Sequence, residues 1–338
     1  MTIRKRSINL ALQGGGSHGA FTWGALHRLL DHPELAIEAI SGSSSGAMNA
    51  VILAQGWLDG GSAGAQAALA EFWNRVGRQF GAAFGHGHGA GQRGSSMPTV
   101  MDAYLRMARD FSPYVLNPLG HNPLRQTLDQ LVDFVKLRRH STLQLFIGAT
   151  QVRTGKLRIF STAELSTDVL LASACLPSLH HAVIIDGEPY WDGGFTGNPP
   201  VFPLLFECRG KDVLIIVIQP LQRTGVPVTA EEIRNRSQEL SFNSTFLREM
   251  RAIAMSKQRI GGWWPRGDLE SRIEQLNFHV LQDAAMDDRL DARSRMVGQR
   301  DFIRCLFDQG HAAADDWLQR NFEHIGVRST IDLAEAFV

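Results

Sequence analysis

Apolar positions in the first part of the chain form short runs of strand length, each followed by a helix-forming stretch. Ile8 to Leu12 precedes Ser17 to Leu30, and Leu35 to Ser41 precedes Ser45 to Gln55. Such alternation predicts parallel strands joined by crossover helices. Gly61 to Phe80 continues as a helix with Leu69, Phe72, Trp73 and Val76 on its core face. Glycine then becomes dense from Gly77 to Gly94, around His86 and His88, and Ser95 to Pro123 is loop-like apart from a helical patch near Met101 to Arg109. Together they predict an insertion over the sheet edge, at about residues 77–123. The sheet resumes with Leu143 to Val152, a Thr154-Gly155 turn and Leu157 to Phe160. A helix from Val169 to Ala174 follows, then strands at Ala182 to Ile185 and Asp212 to Ile218. Beyond Ala230 the pattern is helical, with Ile233, Leu240, Leu247, Met250 and Ala254 at heptad-like positions, a late strand at Asn277 to Leu281, and Leu306, Phe307, Trp317, Leu318 and Phe322 as core faces of closing helices. The fold class is α/β, a mostly parallel central sheet between helices, with an α/β domain over residues 1–228 and a mainly helical C-terminal region, 229–338, packed on it.

Composition narrows the classes of function. Lys plus Arg and Asp plus Glu are both 34, so the formal net charge is zero and no global field would gather nucleic acid. The apolar run behind the basic N-terminus is broken by Gln13 and three glycines, too short for a signal peptide. No apolar stretch approaches the roughly 20 residues of a membrane helix. A soluble, cytoplasmic protein is therefore expected. Cys175, Cys208 and Cys305 are odd in number and far apart, and predict buried thiols rather than a disulfide frame or a metal site. His86 and His88, one residue apart among glycines with no carboxylate nearby, predict a loop rather than a metal centre. Trp263-Trp264-Pro265 fits either a peripheral membrane contact or packing of the C-terminal helices.

Three segments carry chemistry. Gly42-Ser43-Ser44-Ser45-Gly46 matches G-x-S-x-G between a strand and a helix, where Gly42 and Gly46 relieve crowding in a sharp turn that pushes Ser44 outward. A glycine-serine turn capping a helix would share that pattern. Gly14-Gly15-Gly16-Ser17-His18-Gly19 also joins a strand to a helix. It fits a dinucleotide-binding turn or a loop exposing the backbone N–H groups of Gly14, Gly15, Gly16 and Ser17 to a developing oxyanion. A dinucleotide site expects an acid after the second strand, and Ser41-Gly42-Ser43 stands there instead. Asp192-Gly193-Gly194 is a third turn, where an aspartate either faces a crevice or closes an ordinary loop.

Together these segments resemble the patatin-like phospholipases, whose signature is a glycine-rich oxyanion loop, an early G-x-S-x-G and a distant D-G-G. Leu171-Ala172-Ser173-Ala174-Cys175-Leu176-Pro177 resembles the family's A-S-x-A-x-P run. The resemblance spans about Ile8 to Ile218, and the C-terminal helices resemble those of a bacterial branch. It implies a three-layer α/β/α fold and hydrolysis of lipid carboxylic esters without a cofactor or metal. Ser44 would be the nucleophile, Asp192 the base, and N–H groups around Gly15 and Gly16 the oxyanion hole. An aspartate near pKa 3.9 is a weak base, so burial beside Tyr190, Trp191 and Phe195 is expected to raise it. The family often carries Arg or Lys where this chain has His18, which turns the expectation toward neutral esters. Two alternatives remain: a Ser44, Asp192, His279 triad of α/β-hydrolase type, and an inert lipid-binding module of the same fold.

Overall fold

The computed structural model describes residues 5–84, 107–108, 110–220, 223, 225–259, 267–283 and 294–338. His86, His88, Trp263, Trp264, Pro265 and most of the expected insertion lie outside them.

Strand β1 (Arg6–Leu12) leads through a 3-10 turn (Gly16–His18) into helix α1 (Gly19–Leu30), and β2 (Leu35–Gly42) leads into α2 (Ser45–Phe84), which is broken at Gly60 and Gly61. Thus Gly81 to Phe84, expected within the glycine-rich insertion, prolong the helix expected to end at Phe80. Strands β3 (Gln144–Gln151) and β4 (Leu157–Ser161) follow short helices α3 (Pro113–Leu116), α4 (Pro123–Leu131) and α5 (Phe134–His140). Helix α6 (Thr167–Ser173), β5 (Val183–Ile185), β6 (Glu188–Asp192), α7 (Phe202–Phe206) and β7 (Asp212–Ile216) come next. The remainder comprises α8 (Ala230–Arg259), α9 (Asp268–Gln275), β8 (Asn277–Leu281), α10 (Arg300–Asn321) and α11 (Leu333–Phe337).

These strands form one eight-stranded sheet in the order β5-β6-β3-β2-β1-β7-β8, with β4 also paired to β3. Strands β1, β2, β3, β7 and β8 run parallel, β4 and β6 are antiparallel to β3, and β5 is antiparallel to β6. The near-continuous apolar runs have a physical cause, since both faces of the sheet are covered. On β1 and β7, Leu10, Leu12, Leu214 and Ile216 face the layer of α1, α2 and α10, while Ala11, Val213 and Ile215 face α7, α8 and α11. Leu69, Phe72 and Trp73 are buried as the spacing implied, as are Leu306, Phe307, Trp317 and Leu318.

Three expectations are corrected. On α8, Ile233 and Leu240 are exposed, and the buried face runs through Glu239, Asn243, Phe246, Met250, Ile253 and Ala254. The heptad reading holds at Leu247, Met250 and Ala254 and fails toward the helix start, where two polar residues on the inner face have partners: Glu239 pairs with Arg223 and Arg236, and Asn243 accepts from Gln13. Cys305 is exposed, while Cys175 and Cys208 are buried. His279 lies in the expected strand, β8, and is not a partner of Ser44: it is fully buried, with Nε2 at 3.0 Å from Asp212 Oδ1 and Nδ1 at 2.9 Å from Thr330 Oγ1. Strand β8 is three places from β2, roughly 14 Å at the usual strand spacing. A triad through His279 is therefore excluded by distance and by its engaged nitrogens.

Candidate active site

Parallel pairing places Leu12 opposite Gly42, so both strand-to-helix turns open at one edge of the sheet. They touch. A side chain on Gly46 would enter the Leu12 carbonyl, and one on Gly14 would strike the Ser43 carbonyl and the Ser44 Cβ, which accounts for glycine at both positions. Between them Ser44 adopts φ 55°, a left-handed conformation costly for a residue with a Cβ. Its N–H is tied down by Ser173 through both Oγ (3.0 Å) and the carbonyl (3.2 Å). The neighbouring Ser43 is buried, and its hydroxyl donates to Gly197 O at 2.6 Å.

Asp192 reaches the same spot through strand register. Gly42 ends β2 opposite Ile147 of β3, and Asp192 ends β6 opposite Ala149. Strand β4 pairs with β3 from Phe146 to Thr150, so β2 and β6 must share the other edge of β3. Running in opposite directions, they meet end to end, two residues apart along β3, or about 7 Å. The turn that β6 enters is fastened on all sides: Asp192 N–H donates to Cys175 O (2.8 Å), Thr150 Oγ1 donates to Asp192 O (2.7 Å), and Gly194 N–H donates to Oδ1 (2.7 Å). Gly193 packs against the Gly148 carbonyl, and Gly194 against the Phe242 ring.

The Asp192 carboxyl is buried, and burial pushes its pKa up from 3.8 to about 7 against the opposing pull of the Gly194 N–H, the Ser44 hydroxyl and the Arg295 cation. The Ser44 hydroxyl is thus near enough to favour the charged carboxylate, yet the two are not in ordinary hydrogen-bond geometry and Oδ2 has no partner. Catalytic pairs without substrate are commonly long and tighten on binding.

On the glycine-rich turn the four N–H groups divide. Gly14 N–H donates to Asn198 Oδ1 (2.6 Å), and Gly15 N–H donates to Ser45 Oγ (3.0 Å). Gly16 and Ser17 open the 3-10 turn before α1, and no acceptor among the described residues takes their N–H groups. Asn198 also donates from Nδ2 to Gly14 O (3.1 Å), so one side chain holds both ends of that residue. Gln13 adds a second tie, its Oε1 accepting from Ile218 N and Gln219 N at 2.8 and 3.0 Å. Asn198, Ser173, Gln13 and Ser43 were missed as site residues. Asn198 and Ser173 stand inside runs already singled out, whereas nothing local marks Gln13.

His18 is buried, with Nε2 at 2.7 Å from Ser294 Oγ, and burial followed by the Arg295 and Arg223 cations drives its pKa down to about 3. It is neutral at pH 7. Arg295 enters from the C-terminal region, its backbone carbonyl against Gly16 and its guanidinium 5.9 Å from the Phe242 ring centre.

Residues 10–205 match the profile of the patatin-like phospholipases. The crystal structure of VipD from Legionella pneumophila aligns over 93% of this chain and 67% of its own, at 14% identity and a TM-score of 0.37. No curated protein sequence matches the chain. Among the described residues no helix is long and apolar enough to cross a membrane. With more than half of its length matched by one family, and with a mostly parallel sheet between helical layers, this chain belongs to the patatin-like phospholipases, a family of lipid acyl hydrolases.

Proposed function

We propose that the chain hydrolyses carboxylic esters of lipids through a Ser44–Asp192 dyad and an acyl-enzyme. The observation that carries this reading is the end-to-end meeting of β2 and β6 on β3, which brings a strained serine to a buried carboxyl with a pKa of about 7. Ser44 Oγ attacks the ester carbonyl carbon as its proton passes to Asp192. The alkoxide develops against the N–H groups of Gly16 and Ser17 at the positive end of α1. Collapse expels the alcohol, which takes the proton back from Asp192; water, deprotonated by the same carboxylate, then frees the fatty acid. Gly14 and Gly15 support the turn rather than the oxyanion, because their N–H groups are already engaged. A neutral His18 favours uncharged esters on the turn itself.

A fluorophosphonate probe tests the nucleophile directly. Labelling of the wild type at Ser44, absent in Ser44→Ala, is the expected result; an unlabelled, folded wild type would leave an inert lipid-binding module. The turn's supports give a second expectation. Asn198→Ala should lower kcat on a short p-nitrophenyl ester by about 10- to 100-fold while KM stays nearly constant, because displacing the oxyanion donors by a fraction of an ångström weakens only the transition state.

A further inference from the structure

Away from the dyad, the end of α1 and the middle of α10 gather three metal-ligating side chains. His27, Asp31 and His311 each offer one ligand atom, and these atoms all lie within 4.8 Å of one another. His27 and Asp31 are one helical turn apart, with Nδ1 and Oδ2 separated by 3.9 Å. The His311 ring stands 5.6 Å from that of His27, and the His27 ring meets Phe307 edge-on at 5.4 Å. His27 Nδ1 is buried and has no hydrogen-bond partner. Gln66 donates to Asp31 Oδ1 at 2.6 Å and to His27 O at 3.0 Å, orienting the carboxylate.

We propose that His27, Asp31 and His311 form a binding site for one divalent transition-metal ion, Zn²⁺ by preference, that clasps α1 to α10. Two imidazoles and a carboxylate with a fourth position for water suit zinc. In a tetrahedral site, ligand atoms stand about 3.4 Å apart, so the side chains draw inward by about 1 Å. The cation facing the site is Arg304, which lies over Phe307 at 4.7 Å and pairs with Asp308 at 3.1 Å. It opposes the ion, and its pairing with Asp308 offsets part of that repulsion. His27 is nine residues along the helix from His18, about 13 Å, which separates the site from ester hydrolysis.

Calorimetric titration of the chelator-stripped full chain with Zn²⁺ tests the proposal. One ion should bind per chain, the thermal midpoint should rise, and Co²⁺ in place of zinc should give the strong visible bands of a tetrahedral ion. Asp31→Asn, an exposed substitution that spares folding, and His311→Ala should each weaken binding by about 10-fold or more. His86→Ala/His88→Ala, in the glycine-rich stretch, should leave it unchanged. Absence of zinc binding in the wild type, unweakened binding in both Asp31→Asn and His311→Ala, or loss of binding in the His86/His88 variant overturns the assignment.

Discussion

Asp192→Asn is expected to lose about 10⁴-fold or more in kcat and, at pH 8, to be more thermally stable than the wild type. Both effects come from the same burial. The carboxyl has moved from an ordinary 3.8 to about 7 because desolvation disfavours its charge. The folded state therefore holds the proton more tightly than the unfolded chain. That stabilisation is complete below about pH 4 and is lost as pH rises through about 7. Above pH 7 the charged buried carboxylate costs the fold about 4 kcal/mol, from about 3 pH units at 1.36 kcal/mol each. Asparagine carries no charge at any of these pH values, so the stability gap should open between about pH 4 and 7 and vanish in acid. Turnover by the wild type should follow the opposite sense, with kcat/KM falling below about pH 7 as the base is protonated. Ser44→Ala should lose activity to a similar extent without the gain, since removing the hydroxyl takes away a group that favours the charged form. Melting curves across pH beside a pH–rate profile check this. An active Asp192→Asn, or a melting difference independent of pH, would remove the dyad.

Gly24→Ala should destabilise the protein by on the order of 3 kcal/mol, despite alanine's higher helix propensity. Helices α1 and α10 meet backbone to backbone at two reciprocal points: a side chain on Gly24 would enter the Phe307 carbonyl, and one on Gly310 the Phe21 carbonyl, both closer than 3.0 Å. Backbone cannot swing aside as a side chain can. The helices would have to separate, loosening Trp23 from Phe307, whose rings are 4.2 Å apart. For a chain of 338 residues, at about 2.1 cal/mol/K of unfolding entropy per residue, the loss corresponds to a fall of roughly 4 °C in Tm. Thermal denaturation of Gly24→Ala and Gly310→Ala measures it. An increase in Tm would show that propensity outweighs the close contact.

Some of this architecture follows from local sequence alone. Each of the first two strand-to-helix turns is marked within a few residues by glycines and a change from apolar run to helical period, and turns that follow parallel strands open on one sheet edge, which brings Ser44 and the triple-glycine turn together. The β5–β6 hairpin was also written locally and went unread: Asp186 and Gly187, at φ 51° and 80°, form the paired left-handed turn that an Asp-Gly step signals. Asp192 was expected on a turn, without the strand before it; that strand, β6, carries Pro189, which is tolerated near a sheet edge.

What lay beyond the sequence depends on contacts between distant segments. The burial that lifts Asp192 toward neutrality needs β6 to abut β2 on β3, and no spacing along the chain encodes that register. The inner face of α8 was misread toward the helix start because Glu239 and Asn243 count as polar until Arg223, Arg236 and Gln13 arrive to satisfy them. The division of the N–H groups on the glycine-rich turn was likewise decided by Asn198 and Ser45, which take the Gly14 and Gly15 donors. Residue type and spacing thus determined which groups stand at the candidate site. Their ionisation and hydrogen-bond state were decided only by packing, because desolvation and donor satisfaction are properties of the surroundings and not of the residue.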